Sequence, residues 1–455
     1  MAILGFHAVV CLIAITIISK LLNRSSFVHI FVTKGLFRFV APSNEDLKAL
    51  LPPSKEKLNQ RNRKKKREEE QAEGFNVPKS SPFQLRLVPV DVRDLTHFEM
   101  YAPLHWLSLC VPICLIAFSL SEIYNYALPH NTDFNTSILF LLIVVSFILQ
   151  ILTSLTSYLI SNVEERGFML SIGAIYFLFS FIFTVNVHRV FDIKMLETYD
   201  LLGNNIAEFI EKSEVFTNGT SIHDYRPTNP LMMYISLSIF FSMLSSMLVF
   251  PNFRCALMYL KAVEIDTPFK KFLDHVAFLL PAFVLACFSK PVVYQLVRGP
   301  RQLLTEDQLD ILRIYLILIW LCTKFLTRNS HLQSHLNLAF MKTSALRNEA
   351  GKVKNFEIQS LINRYYRYVC AAAIQYFGPI LLALFCALLL KSTGNLSWIA
   401  SPPTALATDL KTLGPVRFIF DYDVCRAFFS FTLVTILLIN FSLQLMGIAY
   451  HTYFV

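Results

Sequence analysis

The feature that most constrains this chain is a series of long apolar blocks without charged residues. Seven segments contain no Asp, Glu, Lys or Arg: 1–19, 100–121, 137–160, 167–187, 229–252, 368–390 and 427–455. A helix needs about 20 apolar residues to cross about 30 Å of hydrocarbon, because lipid offers no partner for an exposed peptide group. Two further apolar segments carry internal charge, 275–297 with Lys290 and 308–326 with Asp310, Arg313 and Lys324. The pattern predicts an all-α, polytopic integral membrane protein with about nine transmembrane helices.

Composition excludes most other classes of protein. Hydrophobic residues make up 54% of the chain. Charged residues are 16%, against about 25% in soluble domains. The net charge of +9 is interpreted as a topology signal, and no nucleic-acid partner is expected. The nine cysteines show no paired spacing, so structural disulfides and zinc sites are not expected.

The distribution of cations predicts the orientation. With the N-terminus outside, 28 of the 41 Lys and Arg residues fall in the inner segments 20–99, 161–166, 253–274 and 327–367. Cytoplasmic loops are enriched in Lys and Arg, which favours this arrangement with the C-terminus inside. Glycosylation sequons at Asn218 and Asn395 then lie on the outer side, which predicts a glycoprotein. The segment 1–19 could instead be a cleaved signal peptide, but it lacks a basic start, and an uncleaved first span is preferred.

These observations divide the chain into six parts. They are a first span (1–19), a cytoplasmic basic linker (20–99), spans two to five with an outer loop at 188–228 (100–252), an interfacial segment with spans six and seven (253–326), a cytoplasmic helical hairpin (327–367), and spans eight and nine with an outer loop at 391–426 (368–455). The run of cations from Lys55 to Arg67 is interpreted as a solvated linker that fixes topology. Contact with anionic lipid of the inner leaflet is the alternative.

The hairpin is predicted from a stretch without helix breakers. Residues 302–350 contain no Gly or Pro, Thr305 and Gln308 fit a capping box, and Gly351 is placed to end the helix. Two apolar seams at coiled-coil spacing suggest that the chain reverses near Gly351. The first seam contains Leu332, Leu336, Ala339, Thr343 and Leu346, and the second contains Ile358, Leu361, Tyr365 and Tyr368.

Ionisable residues at membrane depth form the candidate polar site. Each costs about 2.5–3.5 kcal/mol at a helix centre even on lenient scales. Glu122, Lys290, Asp310 and Arg313 are predicted to converge near the outer side, and Pro291 should free a backbone carbonyl beside Lys290. A fixed ion-pair network that holds the spans together is the alternative. Glu122, Lys324 and Arg426 can each be explained without a function, as interfacial residues whose charged groups reach water along flexible stems.

The sequence offers no positive case for an enzyme. It contains none of the common zinc-protease, hydrolase, phosphate-binding or dinucleotide-binding motifs. His331 and His335 share a helix face, but no second histidine cluster accompanies them, so they are interpreted as solvent-facing or interfacial. No catalytic residue, metal site or cofactor is predicted.

Several motifs along the whole chain resemble the transmembrane protein 161 family, which has A and B paralogues in vertebrates. The most specific is SHLQSHLNLA at 330–339. The others, in order, are KGLFRF, PSNEDLKAL, SLTSY, FPNFRCALMYL, SKP, TEDQLDILR, IQYFGP and LLLKSTGNLSW. The outer loop at 391–426 looks shorter than in vertebrate members.

The resemblance implies a multispanning, glycosylated protein of the endoplasmic reticulum and plasma membrane without established catalytic activity. It links the chain to cardiac rhythm, calcium and potassium currents and neuronal development, and the A paralogue to oxidative-stress resistance. The expected function is modulation of ion handling through a channel or pump. The runner-up is transport by the chain itself along a cationic path at Lys290 and Arg313, and a membrane enzyme is a distant third. Family-motif residues without assigned roles are Lys290, Pro291, Asp310, Arg313, Ser330, His331, Gln333, Asn337, Gln375, Tyr376 and Pro379.

Overall fold

A computed structural model describes residues 9, 12–17, 19–20, 27–50, 74–82, 84–127, 137–160, 163–212, 229–300, 302–398 and 419–454. The shorter helices are α1 (Asn44–Ala49), α2 (Val92–Leu95), α6 (Met195–Lys212), α9 (Lys290–Val293) and α11 (Asn355–Arg367). The longer ones are α3 (Tyr101–Ala127), α4 (Ser137–Leu159), α5 (Val163–Val190), α7 (Leu231–Ile265), α8 (Pro268–Phe288), α10 (Glu306–Arg347), α12 (Val369–Thr393) and α13 (Tyr422–Tyr453). Four short strands are β1 (Phe37–Val40), β2 (Asn76–Pro78), β3 (Arg86–Pro89) and β4 (Lys352–Lys354).

Seven helical stretches are long and apolar enough to cross a membrane, among the residues described. They are α3, α4, α5, α7, α8, α13, and α11 together with α12. Helices of this kind imply a bilayer environment, and the prediction of an all-α polytopic membrane protein is confirmed. The predicted number of nine is not. The first predicted span, 1–19, lies largely outside the described residues, and the predicted seventh, 308–326, is the first half of α10 and is not among the seven.

The centre of the bundle is helix α12. Every residue from Val369 to Thr393 is buried, and the helix packs against α3, α4, α7, α10 and α13. An apolar surface on all sides is typical of a helix that is buried within a larger assembly. Gly378 permits part of this packing, because a Cβ atom there would lie 3.0 Å from Leu152 Cδ2. The core of the protein is therefore helix against helix, with α12 in the middle.

The predicted sixth span, 275–297, is wrong at both ends. Helix α8 begins at Pro268 and ends at Phe288, and Ser289 is extended and forms an antiparallel bridge with Phe191. The break follows from Pro291, which has no N–H to donate to the carbonyl four residues earlier. Lys290 consequently begins the separate short helix α9 and is exposed.

Helix α10 is continuous over 42 residues. It is about 63 Å long at a rise of 1.5 Å per residue. It starts at the predicted capping box, in which Gln308 N donates to Thr305 Oγ1 at 3.3 Å and Thr305 N donates to Gln308 Oε1 at 2.9 Å. Gly351 lies just beyond its end with a φ of +120°, and the chain reverses there into β4 and α11.

The seam of α11 differs from the prediction by one residue. Ile358, Ile362 and Tyr366 are the buried positions, whereas the predicted Leu361, Tyr365 and Tyr368 are half-buried. A short straight helix keeps the 3.6-residue period, so its buried row advances in steps of four and not in the alternating steps of a coiled coil. On α10 the predicted Leu332, Leu336, Ala339 and Thr343 are buried, and Leu346 is half-buried.

The described parts of the predicted linker 20–99 are folded, which corrects the linker interpretation there. Strands β1 and β3 pair antiparallel, with Phe37 opposite Pro89, and β2 pairs with β4, with Asn76 opposite Lys354. A second hydrophobic core joins Leu47 and Val77 to the hairpin. We call this unit the hairpin module; it comprises β1–β4, α1, α11 and residues 327–347 of α10. The basic run 55–67 lies outside the described residues.

Candidate functional site

Arg313 fills a hydrogen-bonding vacancy that a proline creates in another helix. Pro291 cannot donate to the carbonyl of Cys287, four residues earlier. Arg313 Nε and Nη2 donate to that carbonyl at 3.2 and 2.7 Å, and the guanidinium lies 3.9 Å from the centre of the Phe288 ring. The predicted freed carbonyl therefore exists beside Pro291, but its partner is Arg313 and not Lys290.

The remaining Arg313 nitrogen and a second arginine share one buried carboxylate. Arg313 Nη1 donates to Asp310 Oδ1, and Arg426 Nε donates to Asp310 Oδ2 at 2.5 Å. Arg426 Nη1 also donates to Asp307 Oδ1 at 2.9 Å. Arg426 was interpreted as an interfacial cation; it is partly exposed and also forms these two ion pairs. We call Cys287, Asp307, Asp310, Arg313 and Arg426 the proline-break cluster; its two carboxylates balance its two guanidinium groups.

Two of the four predicted site residues lie apart from this cluster. Glu122 Oε2 contacts Lys391 Nζ and accepts a hydrogen bond from Trp398 Nε1 at 3.0 Å. This is a second buried ion pair, in which the Lys391 side chain is 9% exposed. Lys290 is exposed on α9. The structure therefore brings together Asp310 and Arg313 but neither Glu122 nor Lys290.

A polar cavity of about 300 Å³ opens beside the proline-break cluster. Its lining includes Asp192, Lys194, Arg298, Glu306 and Asp423. Arg298 Nη2 lies 3.4 Å from Asp192 Oδ2 and 3.2 Å from Glu306 Oε1. Lys194 Nζ lies 3.8 Å from Glu197 Oε2. Because both cations already face carboxylates, the cavity does not present the unpaired positive charge that an anion path requires.

A further group of ionisable residues lies between α8, the middle of α10 and α12, and was missed as a site. We call Asp274, Lys324, His331 and Tyr376 the buried-charge cluster. Asp274 is 1% exposed and Lys324 is 6% exposed. The Lys324 ammonium lies 4.8 Å from the centre of the Tyr376 ring, and the interpretation of Lys324 as an interfacial cation is wrong. The available signal was Asp274 itself, which stands at the edge of the predicted sixth span.

Both histidines of the SHLQSH motif are buried, which corrects their interpretation as solvent-facing or interfacial. They are 2% and 1% exposed, respectively. His331 Nδ1 donates to the Thr327 carbonyl at 3.0 Å, and His335 Nε2 donates to the Tyr365 carbonyl at 3.1 Å. They lie beyond residues 308–326, and burial lowers the pKa of each to about 3, helped by the charge of Lys324 on His331 and of Arg254 on His335. Both rings are neutral at physiological pH.

The other residues of this motif join α10 to its neighbours. Ser330 Oγ donates to Asp266 Oδ1 at 3.0 Å, in the turn between α7 and α8. The Gln333 amide accepts from Phe37 N at 2.9 Å and donates to Phe37 O at 3.0 Å, so it pairs with β1 as a strand would. Asn337 Oδ1 accepts a second hydrogen bond from Gln333 Nε2 at 2.9 Å and orients the amide.

The IQYFGP motif repeats the compensation seen at Pro291. Pro379 has no N–H for the Gln375 carbonyl, which instead accepts from Cys255 Sγ at 3.4 Å. The Gln375 side chain donates to the Tyr368 hydroxyl at 2.9 Å. Tyr376 OH donates to the Lys324 carbonyl at 2.8 Å, so this motif holds the central helix against α7 and α10.

Among the described residues, no group of three His, Cys, Asp or Glu side chains is arranged to hold a metal ion. Asn395 lies two residues beyond α12, is half-buried and has a φ of +51°. Asn218 lies outside the part of the chain that the structure describes.

Comparison with known families gives one finding. A family model described as predicted transmembrane protein 161AB matches residues 2–412 and 404–455, which is nearly the whole chain. No solved structure matches. With motifs, helical architecture and family model in agreement, the chain belongs to the transmembrane protein 161 family.

Proposed function

We propose that this protein modulates ion handling, in particular calcium and potassium currents and membrane excitability, by binding a channel or pump in the same membrane. The observation that carries the proposal is the continuity of α10. This one helix contributes residues to the proline-break cluster at its start, to the buried-charge cluster in its middle and to the hairpin module at its end. Because an unbroken helix resists bending, a partner bound to the module can displace side chains deep in the bundle.

The contacts between the module and α10 favour such coupling. The Gln333 side-chain amide forms hydrogen bonds with both the N–H and the carbonyl of Phe37. Asn355 Nδ2 donates to Asn44 Oδ1 at 2.9 Å. Gln359 Nε2 donates to the Pro42 carbonyl at 3.0 Å. Amide side chains thus join β1 to α10 and α1 to α11, and the His335 imidazole joins α10 to α11, so these elements should move with the helix as one body.

The test combines currents in cells with flux in purified proteoliposomes. Cells that lack the endogenous protein should show altered calcium or potassium currents when the wild type is expressed. Gln333→Ala, which removes both hydrogen bonds to Phe37, should leave abundance near normal and weaken the effect on currents. Lys342→Ala, at an exposed position of the same helix, is the matched control and should behave like the wild type.

Flux separates this proposal from the runner-up, in which the chain itself transports an ion. The proposal expects no movement of Ca²⁺ or K⁺ through proteoliposomes that contain only this protein. Movement without a partner would establish transport. Such a path would not run along Lys290 and Arg313, because Lys290 is exposed and the Arg313 nitrogens bind Cys287 and Asp310. The polar cavity of about 300 Å³ is the feature that favours this second candidate.

The finer properties belong to the same proposal. We expect a non-catalytic glycoprotein of the endoplasmic reticulum or plasma membrane, with glycans at Asn218 and Asn395. The basic run from Lys55 to Arg67 is expected to act as a solvated linker that fixes topology, and the alternative is contact with anionic lipid, at about 1 kcal/mol for each cation near the membrane surface.

A further inference from the structure

Asp274 is a buried carboxyl group without a hydrogen-bond donor. It lies in the second turn of α8, is 1% exposed, and neither of its oxygens receives a hydrogen bond from the described residues. The His331 Nδ1 atom is 3.6 Å from Asp274 Oδ1, but its proton points to the Thr327 carbonyl at 3.0 Å. An ionised carboxylate in such a place costs several kcal/mol unless something compensates its charge.

A second carboxyl group lies near the first. Asp266, in the turn between α7 and α8, interacts electrostatically with Asp274, and the two carboxyl groups face the adjacent α10 residues Ser330 and His331, respectively. Its Oδ1 accepts from Ser330 Oγ at 3.0 Å, while its Oδ2 is buried and has no partner among the described residues. Two ionised carboxylates within one buried site repel each other, whereas one proton shared between them supplies a hydrogen bond for Asp274 and for Asp266 Oδ2.

The surroundings allow that proton to exchange. A cavity of about 240 Å³ reaches Asp266 and is lined further by Lys270, Ser330, Gln333 and Asn337. The cavity places solvent next to Asp266, and Asp266 lies between the cavity and Asp274. A proton can therefore pass from water to Asp266 and on to Asp274 without crossing apolar packing.

Charged and titratable groups on four helices face Asp274. They are Tyr259 on α7, Lys270 on α8, Lys324 and His331 on α10, and Tyr376 on α12. Among the described residues, Lys324 forms no ion pair with a carboxylate. Its charge nevertheless interacts electrostatically with Asp274. When the proton leaves, the new negative charge on Asp274 faces this ammonium, so the deprotonated state is also tolerated and the proton is exchangeable.

We propose that Asp266 and Asp274 form a proton-binding site that holds one exchangeable proton between the two carboxyl groups. Binding forms one O–H bond with a proton from water in the cavity, and release returns that proton to the same water. Ser330, the first residue of the SHLQSH motif, donates a hydrogen bond to Asp266 in this site. The protonation state of the two carboxyl groups should therefore affect how α10 packs against the α7–α8 turn. The site does not depend on the proposed channel or pump partner.

Infrared difference spectroscopy of the purified full-length protein tests the proposal through the carbonyl stretch of a protonated carboxylic acid. The wild type should show this band at neutral pH, with a shift in D₂O, and should lose it as pH rises. Asp274→Asn should abolish the band, whereas Asp423→Asn, at an exposed carboxylate, should leave it unchanged. Absence of the band in the wild type, or its persistence in Asp274→Asn, would overturn the proposal.

Two further measurements keep the test decisive if Asp274→Asn does not fold. Ser330→Ala removes a hydrogen bond to the ionised form of Asp266, so the midpoint of the wild-type titration should move to higher pH. An unmoved midpoint would contradict the site. If millimolar Na⁺, K⁺ or Ca²⁺ removes the band and raises the unfolding temperature, the two carboxylates bind a metal cation and the proton site is wrong.

Discussion

Single side chains complete hydrogen bonds that prolines remove from neighbouring helices. Pro281, Pro291 and Pro379 each free a carbonyl four residues earlier, and Trp320, Arg313 and Cys255, respectively, donate to those carbonyls. Lipid cannot supply these donors. Each proline is therefore tolerated because a particular residue on another helix faces it.

The Trp320–Pro281 pair can be tested by a double-mutant cycle. Trp320 Nε1 donates to the Ala277 carbonyl at 2.9 Å, so Trp320→Phe leaves a buried acceptor unpaired. That loss should cost about 1–3 kcal/mol in the free energy of unfolding, in addition to any packing change. Pro281→Ala restores a backbone donor for Ala277, so Trp320→Phe should cost less in that background. Equal costs in both backgrounds, measured by denaturant titration in micelles, would contradict the compensation.

The proline-break cluster predicts an order of effects. Asp310→Asn leaves Arg313 and Arg426 with only Asp307 between them and should cost about 3–5 kcal/mol in the free energy of unfolding. Arg313→Gln should cost less, about 1–3 kcal/mol, because Asp310 keeps Arg426 and the main loss is at the Cys287 carbonyl. Arg298→Gln, in a half-exposed ion pair, is the control at about 0–1 kcal/mol. The reverse order for Asp310 and Arg313 in thermal unfolding would rule this explanation out.

His335 predicts a loss of stability in acid. Its pKa in the folded protein is about 3, below the usual value of 6.5, because burial disfavours the imidazolium. The unfolded chain therefore binds more protons below pH 6.5, and the stability present above pH 6.5 falls as pH decreases. The slope from one such histidine reaches about 1.4 kcal/mol per pH unit. His335→Gln should reduce the slope of the unfolding free energy against pH, whereas His97→Gln, at an exposed position, should leave the slope unchanged. Identical slopes for wild type and His335→Gln would contradict the assignment of this acid sensitivity to His335.

At the scale of elements, α10 and the reversal after it organise the part of the molecule that contains the hairpin module. The capping box fixes where the helix starts, and the absence of Gly and Pro keeps it continuous. Beyond its end, Gly351 has a positive φ, and β4 then pairs with β2 from a distant part of the chain. The turn therefore decides how α11 meets α10.

Two glycines give opposite predictions for the same substitution. A Cβ atom at Gly351 would meet no atom within 4 Å, but the φ of +120° is strained for alanine. Gly351→Ala should therefore cost about 1–3 kcal/mol in unfolding free energy. Gly167 also has no atom within 4 Å of its Cβ position and lies inside α5, so Gly167→Ala should stabilise by about 0.5–1 kcal/mol. Thermal unfolding of both variants checks this, and a stabilised Gly351→Ala would refute the strain.

At the scale of the whole molecule, the distribution of cations predicts one orientation. The N-terminus should lie outside, Asn218 should carry a glycan, and the run from Lys55 to Arg67 and the C-terminus should face the cytosol. Glycosidase treatment of wild type and Asn218→Gln in parallel checks this. The wild type should shift in mobility and the variant should have lost that shift. Unchanged mobility after removal of the sequon would contradict the orientation or the use of the site.

Fold class follows from the sequence because burying apolar surface in a bilayer imposes a minimum length on each charge-free block. The capping box at Thr305 and the turn at Gly351 were also predictable, since both depend on neighbouring residues. The folded parts of 20–99 were not. Their strands pair across long stretches of sequence, as β2 does with β4, and short strands with little alternation carry a weak signal.

The sequence by itself therefore determined that helices cross a membrane, where α10 begins, and that Pro291 frees a carbonyl. Tertiary structure decided which side chains donate hydrogen bonds to the freed carbonyls and which pair with the buried charges. Lys290 and Arg313 look alike in the sequence, yet Arg313 reaches Cys287 while Lys290 is exposed. From the sequence, His331 and Lys324 were interpreted as interfacial residues. In the folded protein α8 and α12 cover both side chains. The physical reason is that the cost of burying a charge depends on the partners in space, and local sequence does not specify those partners.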